Sequence, residues 1–261
     1  MKKIFLPFAI ATVLLNVSCG GGNGQPSAAE IAQIDAGAAA AAWVAPEEGA
    51  NWQDWGLAAT MSSLEAASAS AAAGGGPNRG IVNAPNPHSD LPSQFVLGNN
   101  RFEKMGIMHN RGLKLIQTEG DLILTQNLIR YDSLSYMNLF TVVDIPELQT
   151  NESKIKMFQL FKTNNFINSV MEARNKAVLY MTDDEVIDAI PVSTSRKESI
   201  RRIFLNYKQK LDAVVPTDEI SSYLNSEISQ LTNKKVISKE DEVQIVYLTV
   251  LKHSNYYWHK H

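Results

Sequence analysis

From about residue 100 onward, apolar side chains recur at helical spacing. Ile200, Ile203, Phe204, Tyr207, Leu211 and Val214 fall on one face of a segment, and Ile220, Tyr223, Leu224, Ile228 and Leu231 on one face of the next, each against a polar opposite side. Upstream, Phe102, Met105, His109, Leu113 and Ile116 make another stripe, Leu124, Leu128 and Tyr131 begin one after Gly120, and residues 152 to 180 predict one or two more. The last stretch, EVQIVYLTVLKHSNYYW, is apolar nearly all round, which predicts a helix in the middle of a bundle. Its β-branched residues would also suit a buried strand, but its length and the capping Ser238 favour helix. Helix starts are marked by SRKE at Ser195 and TDDE at Thr182, both of the capping-box form, by SKED at Ser238 with Asp in place of Glu, and by PTDE at Pro216. No hairpin signals intervene. The predicted fold is all-α, a bundle of six to eight helices over residues 101–261, a span of ~160 residues that can bury a sizeable core.

Before residue 100 the pattern vanishes. AGAAAAAWVA and LAATMSSLEAASASAAAGGGPNRG are long on Ala, Ser and Gly and nearly devoid of Leu, Ile and Phe, so they bury little apolar area per residue. GGGPNRG stops any helix, and NAPNPHSDLPS reads as an extended or turn-rich linker. Residues 19–100 are therefore expected to form an Ala/Gly/Ser/Pro-rich tether and low-complexity segment, with GGGNGQPS as its flexible beginning. Three of the four tryptophans, Trp43, Trp52 and Trp55, stand in this small-residue segment. Tryptophan suits surfaces that are half apolar and half wet, which makes the three candidates for an interface with a membrane or a partner; packing on the helical domain is the plainer alternative.

The first eighteen residues have the layout of an export signal: Lys2 and Lys3, the apolar core IFLPFAIATVLL, then small or polar residues before Cys19. The apolar run is too short for a permanent span, and Pro7 interrupts it. Cys19 is the only cysteine, and in an oxidising compartment an unpaired cysteine calls for a reason other than a disulfide. LNVSC resembles the lipobox of bacterial lipoproteins, with Val17 and Ser18 at the positions before the cysteine and Asn16 where Leu is usual. The resemblance covers residues 1–19 and implies cleavage between Ser18 and Cys19, acylation of the Cys19 thiol and of the new amino terminus, and a membrane partner through those chains. Gly20 lacks the acidic retention residue of some lipoproteins, which points to the outer membrane of a bacterial envelope. Without acylation the protein would be secreted. The remainder weakly resembles exported bacterial helical proteins, and the Ala/Gly-rich stretches are similar in composition to bacteriocin-type membrane-active peptides; neither likeness implies an activity for this chain.

Charge narrows the partners. The net charge is −3, and residues 19–100 hold seven acidic side chains against Arg79 alone, leaving the later part near neutral. Nothing is basic enough to neutralise phosphates, so nucleic acid is not an expected partner. His109, in EKMGIMHNRGLKL, is the candidate catalytic residue: a histidine on an apolar stripe beside Asn110, with Gly106 and Gly112 near. A core histidine bonded to a facing helix has the same signature, and His253 is the histidine that could approach it. His259 and His261 form a terminal His-x-His that can take copper or nickel, but a structural zinc site needs about four ligands, and Tyr256, Tyr257 and Trp258 read as an aromatic plug. His88 stands alone in the linker. No G-x-S-x-G elbow, H-E-x-x-H helix, P-loop or G-x-G-x-x-G occurs. The expectation is thus a lipid-anchored, non-enzymatic envelope protein without cofactor or metal, binding an unidentified protein partner. The alternatives are a membrane-active or antagonism protein using the Ala/Gly-rich segment, and a hydrolase with His109 as base.

Overall fold

The computed structural model describes residues 28–43, 91–98, 100–118 and 182–258. Six α-helices lie among them: α1 (Ala28–Trp43), α2 (Arg101–Thr118), α3 (Asp183–Asp188), α4 (Thr194–Asp212), α5 (Thr217–Thr232) and α6 (Lys239–Trp258), with a single 3-10 turn at Ser93–Phe95. No strand occurs among the described residues, so the described fold is all-α. The stripes expected at residues 124–131 and 152–180 lie outside the described residues, as do the side chains of Leu113 and Ile116.

The apolar-all-round stretch is helix α6, and it forms the centre. It packs against α1, α2 and α5, and every side chain from Val243 to Asn255 is buried. Its start is fixed by Ser238, whose hydroxyl accepts from the Asp241 N–H at 3.1 Å while Asp241 Oδ2 accepts from the Ser238 N–H at 3.0 Å. SKED is thus a capping box with Asp as its acid. TDDE forms the full box at Thr182. SRKE does not: the N-cap of α4 is Ser193, two residues before Ser195, and it gives its N–H and hydroxyl to Glu240 of α6 at 2.8 Å each. A tertiary acceptor there replaces the local one. At α5 the N-cap is Pro216, which has no side chain able to cap, so PTDE contributes only Asp218 and Glu219 to the first turn.

Stripes on α4 and α5 face the core as their spacing predicts, with Ile200, Ile203, Phe204 and Tyr207 on one helix and Ile220, Leu224, Ile228 and Leu231 on the other. Val214 departs from its stripe. Helix α4 ends at Asp212, and the chain turns through a Schellman closure in which Val215 N–H reaches Lys210 O at 2.9 Å and Val214 N–H reaches Leu211 O at 2.9 Å. Val214 occupies the left-handed position, φ 55°, and is 86% exposed.

Helix α1 corrects the reading of the Ala-rich segment. Composition places all of residues 19–100 in a tether, yet Ala32, Ala36, Ala39, Ala40 and Trp43 are fully buried and share one core with α4, α5 and α6. An Ala helix loses no side-chain entropy on ordering and brings its axis close to its neighbours, which supply the large side chains. Gly37 shows how close: a Cβ there would stand 2.4 Å from Val186 Cγ1 on α3. Each buried methyl adds only about 0.8 kcal/mol, so polar ties carry a large share of the attachment. Gln33 Nε2 donates to Asp183 O at 2.8 Å and Trp43 Nε1 to Glu242 Oε2 at 3.3 Å.

A β-branched residue in the left-handed region costs about 1–2 kcal/mol, against less than ~1 kcal/mol for the added chain freedom of glycine. Val214→Gly should therefore stabilise the protein by about 0.5–1 kcal/mol, read as a higher denaturation midpoint. A lower midpoint would mean that Val214 makes contacts outweighing its strain.

Candidate functional site

The residues with the richest chemistry converge where α1 and α2 meet α6. Met105, Met108 and Phe102 hold the apolar side of α2 against the core, and the same helical turns carry Glu103, His109 and Asn110 inward. Gly106 makes the approach possible: a Cβ there would lie 2.2 Å from His253 Cδ2 on α6. Six polar side chains at this junction, those of Asp35, His109, Asn110, Lys252, His253 and Ser254, are 0% exposed.

Two carboxylates organise the cluster. Glu103 is a fork, with Oε1 accepting from Lys252 Nζ at 2.5 Å and Oε2 from His253 Nε2 at 2.9 Å. Lys252 gives its two other donors to Phe95 O at 3.0 Å and Asn225 Oδ1 at 2.9 Å, so all three ammonium hydrogens have acceptors. Asp35 of α1 is the second centre. Its Oδ2 accepts from Ser254 Oγ at 2.5 Å and Trp258 Nε1 at 3.1 Å, and His109 Nε2 stands 3.2 Å away, close but not aligned for a hydrogen bond. Asn110 links the halves, since its Nδ2 donates to His253 O at 2.9 Å and its Oδ1 faces His109 Nδ1 at 3.0 Å. With the amide nitrogen engaged as donor, Asn110 Oδ1 is left as the acceptor for His109 Nδ1.

The environment shifts the charges in definite directions. Burial works to raise the Glu103 carboxyl, but the hydrogen bond and charge of His253, with Lys252, outweigh it and hold the group below the usual carboxylate range. Burial pushes the His253 imidazole down, only partly offset by Glu103, and does the same to the Lys252 amine. His253 Nε2 donates to Glu103 Oε2, while its Nδ1 has no hydrogen-bond partner among the described residues. Tyr207, which donates to Asn255 Oδ1 at 3.0 Å, is raised by burial and by the charge of Asp35.

The residues singled out from sequence scatter. His109 lies in the cluster and is sealed from solvent by Asp35 and Asn110, an arrangement that anchors helices. Trp43 is fully buried, 5.7 Å from the Phe102 ring, with the Lys239 ammonium 5.8 Å from its face, and so presents no surface to a membrane. Trp52, Trp55, Ser18, Cys19, His88, His259 and His261 lie outside the described residues. Tyr257 and Trp258 close the end of α6 edge to face at 5.1 Å, Trp258 also serving Asp35. Asp35, Glu103, Lys252 and Asn225 escape the sequence reading, although a lysine inside an otherwise apolar helix is itself a sign of a buried acidic partner. No group of three or more His, Cys, Asp or Glu among the described residues is arranged to hold a metal, and none of the described helices is long and apolar enough to cross a membrane. Comparison with protein-family models, curated proteins and solved structures finds no match.

Filling the gap at Gly106 tests the junction. Gly106→Ala forces the His253 ring or the α2 backbone to move, and should cost about 2–3 kcal/mol in chemical denaturation; an unchanged midpoint would mean that the helices do not approach as described.

The pH dependence follows from the signs. Three buried groups that titrate in the acid range, His253, Glu103 and Asp241, have folded values below their ordinary ones of 6.5, 4.5 and 3.8. As pH falls below each ordinary value, the unfolded chain takes a proton that the folded protein refuses, so stability present above it is lost progressively. Asp241 accepts from Lys234, Ser238 and Arg196, which outweigh its burial. Thermal midpoints should fall continuously from about pH 7.5 to about pH 3.5, and Asp241→Asn should flatten the lowest part of the curve. A midpoint that rises on acidification contradicts the assigned directions.

Proposed function

We propose that the protein is a lipid-anchored component of a bacterial envelope, attached through acyl chains on Cys19, whose helical body is a non-enzymatic module that binds a partner or helps assemble an envelope structure. The observation that carries this reading is in the sequence: a single cysteine directly after a basic start and a short apolar core, in a chain with no second cysteine to pair with it. Two or more acyl chains give the stable attachment that one does not. The enclosure of His109 in the helix junction supports a packing role over a hydrolytic one. For residues 36–76 to act on a membrane, α1 would have to leave the core that Ala36, Ala39, Ala40 and Trp43 occupy.

Cys19→Ser is the direct test. Wild-type protein should incorporate a fatty-acid probe, partition into detergent and yield a mature species beginning at Cys19 with acyl mass added. The serine variant should not label. An unmodified Cys19 thiol in the wild type, or cleavage at another position, would show a secreted protein and remove the membrane from its partners.

A further inference from the structure

We propose that Lys252 and Asn225 are substrates of a self-catalysed cross-link, an isopeptide bond between α6 and α5 formed with Glu103 as proton carrier and with loss of ammonia. The two reacting groups already touch: Lys252 Nζ is 2.9 Å from Asn225 Oδ1. They are held together by a third element, because the carbonyl oxygen of Phe95 in the 3-10 turn accepts both from Nζ at 3.0 Å and from Asn225 Nδ2 at 3.0 Å. Glu103 Oε1 lies 2.5 Å from the same Nζ, and its other oxygen is pinned by His253. An amine, a carboxamide and a carboxylate therefore meet at one point, with the amine fully buried and the carboxamide half-buried at the rim.

An amine does not displace ammonia from a primary amide in water, for three physical reasons. The amine is protonated, the reactants meet rarely, and the nitrogen to be expelled is a poor leaving group. This site answers each. Burial opposes the charged form of Lys252 and the carboxylate beside it can take the proton. The fold holds the reactants in contact, which replaces an encounter by an effective concentration that well-oriented pairs raise by orders of magnitude. The acid formed on Glu103 can then protonate the departing nitrogen. Cγ of Asn225 is bonded to the Oδ1 that Nζ already touches, so a turn of the amide group presents it to the amine.

The step balances without any co-reactant. Glu103 removes one proton from the Lys252 ammonium. The freed Nζ lone pair forms a bond to Asn225 Cγ, and the carbonyl electron pair moves to Oδ1. Glu103 gives its proton to Nδ2 and then accepts a second proton from Nζ. The Oδ1 pair returns to carbon, the Cγ–Nδ2 bond breaks, and nitrogen departs with the bonding pair as ammonia. Ammonia takes the proton from Glu103 as it leaves by the half-buried Asn225 side, restoring the carboxylate. No atom changes oxidation state. A chain with one cysteine cannot close a disulfide within itself, and this bond would tie α5 to the central helix covalently.

Tryptic mapping of the purified full-length protein decides the matter. A linked chain is not cut at Lys252, so residues 211–234 and 240–260 should appear as one branched peptide lighter than the sum of the two by one ammonia. Glu103→Gln and Asn225→Ala should give linear peptides only. If the wild-type digest yields only an unmodified 211–234 peptide and a 240–252 peptide ending at Lys252, even after prolonged incubation of the folded protein, the proposal fails and the three residues are a buried ion pair with an amide partner. If Glu103→Gln cross-links as fully as wild type, the role given to Glu103 fails. The wild-type digest is decisive by itself, whether or not a variant folds.

Discussion

Two carboxylates taken out of water, Asp35 on α1 and Glu103 on α2, set the terms for the described structure. A buried carboxylate is tolerable only where donors are placed to meet it, and the side-chain donors for these two come from α6: Lys252 and His253 for Glu103, Ser254 and Trp258 for Asp35. That requirement fixes the rotation and height of α6 relative to its neighbours. Removing one partner of such a set leaves a charge with neither water nor counter-charge, a loss of about 3–5 kcal/mol. Ala32, Ala36, Ala39 and Ala40 present a nearly uniform surface that would fit several alignments. Asp35, with Gln33 and Trp43 at either side of it in the chain, is what distinguishes one alignment from the next.

The outer ends of the helices obey a related logic. Glu240, Asp241 and Glu242 at the start of α6 each reach a different part of the chain: Ser193, then Arg196 and Lys234, then Arg101 and Trp43. Acids in a first helical turn are favoured by the helix dipole alone, but here they also clamp the ends of α1, α2 and α4. Isolated exposed ion pairs contribute little; Asp241 differs because its carboxylate is largely buried and accepts from several donors at once.

Helical periodicity made α2, α4 and α5 legible, because an amphipathic stripe is a property of one segment and needs no knowledge of its neighbours; α6, apolar nearly all round, was legible from its length and its capping Ser238. The same locality explains what was missed. Asp35 looks like any solvated acid until Ser254 and Trp258, on a helix at the other end of the chain, are brought to it. Glu103 sits in the first turn of α2, where acids are ordinary, and its burial is decided by Lys252. SRKE fails as a capping box because Ser195 already lies inside α4, whose N-cap, Ser193, is held by Glu240 from another helix. His109 was visible because histidine on an apolar stripe is unusual by itself; its partner was not. Trp43 was noticed for its size among alanines, and only the packing of α1 reveals that it points inward.

The polar contacts of α1 also say something about order in time. Asp35 meets Ser254 and Trp258, partners 219 and 223 positions further along the chain, and Trp43 meets Glu242 across 199. In a chain made from its amino terminus, α1 can meet α2 and α3 earlier, but its ties to Glu242, Ser254 and Trp258 wait for α6. Contacts of such long range close slowly, because the loop entropy must be overcome before any of them is rewarded. Until then α1 lacks the polar ties that fix its alignment. Helix α6 is the keystone, and the described core locks only once that helix has been made.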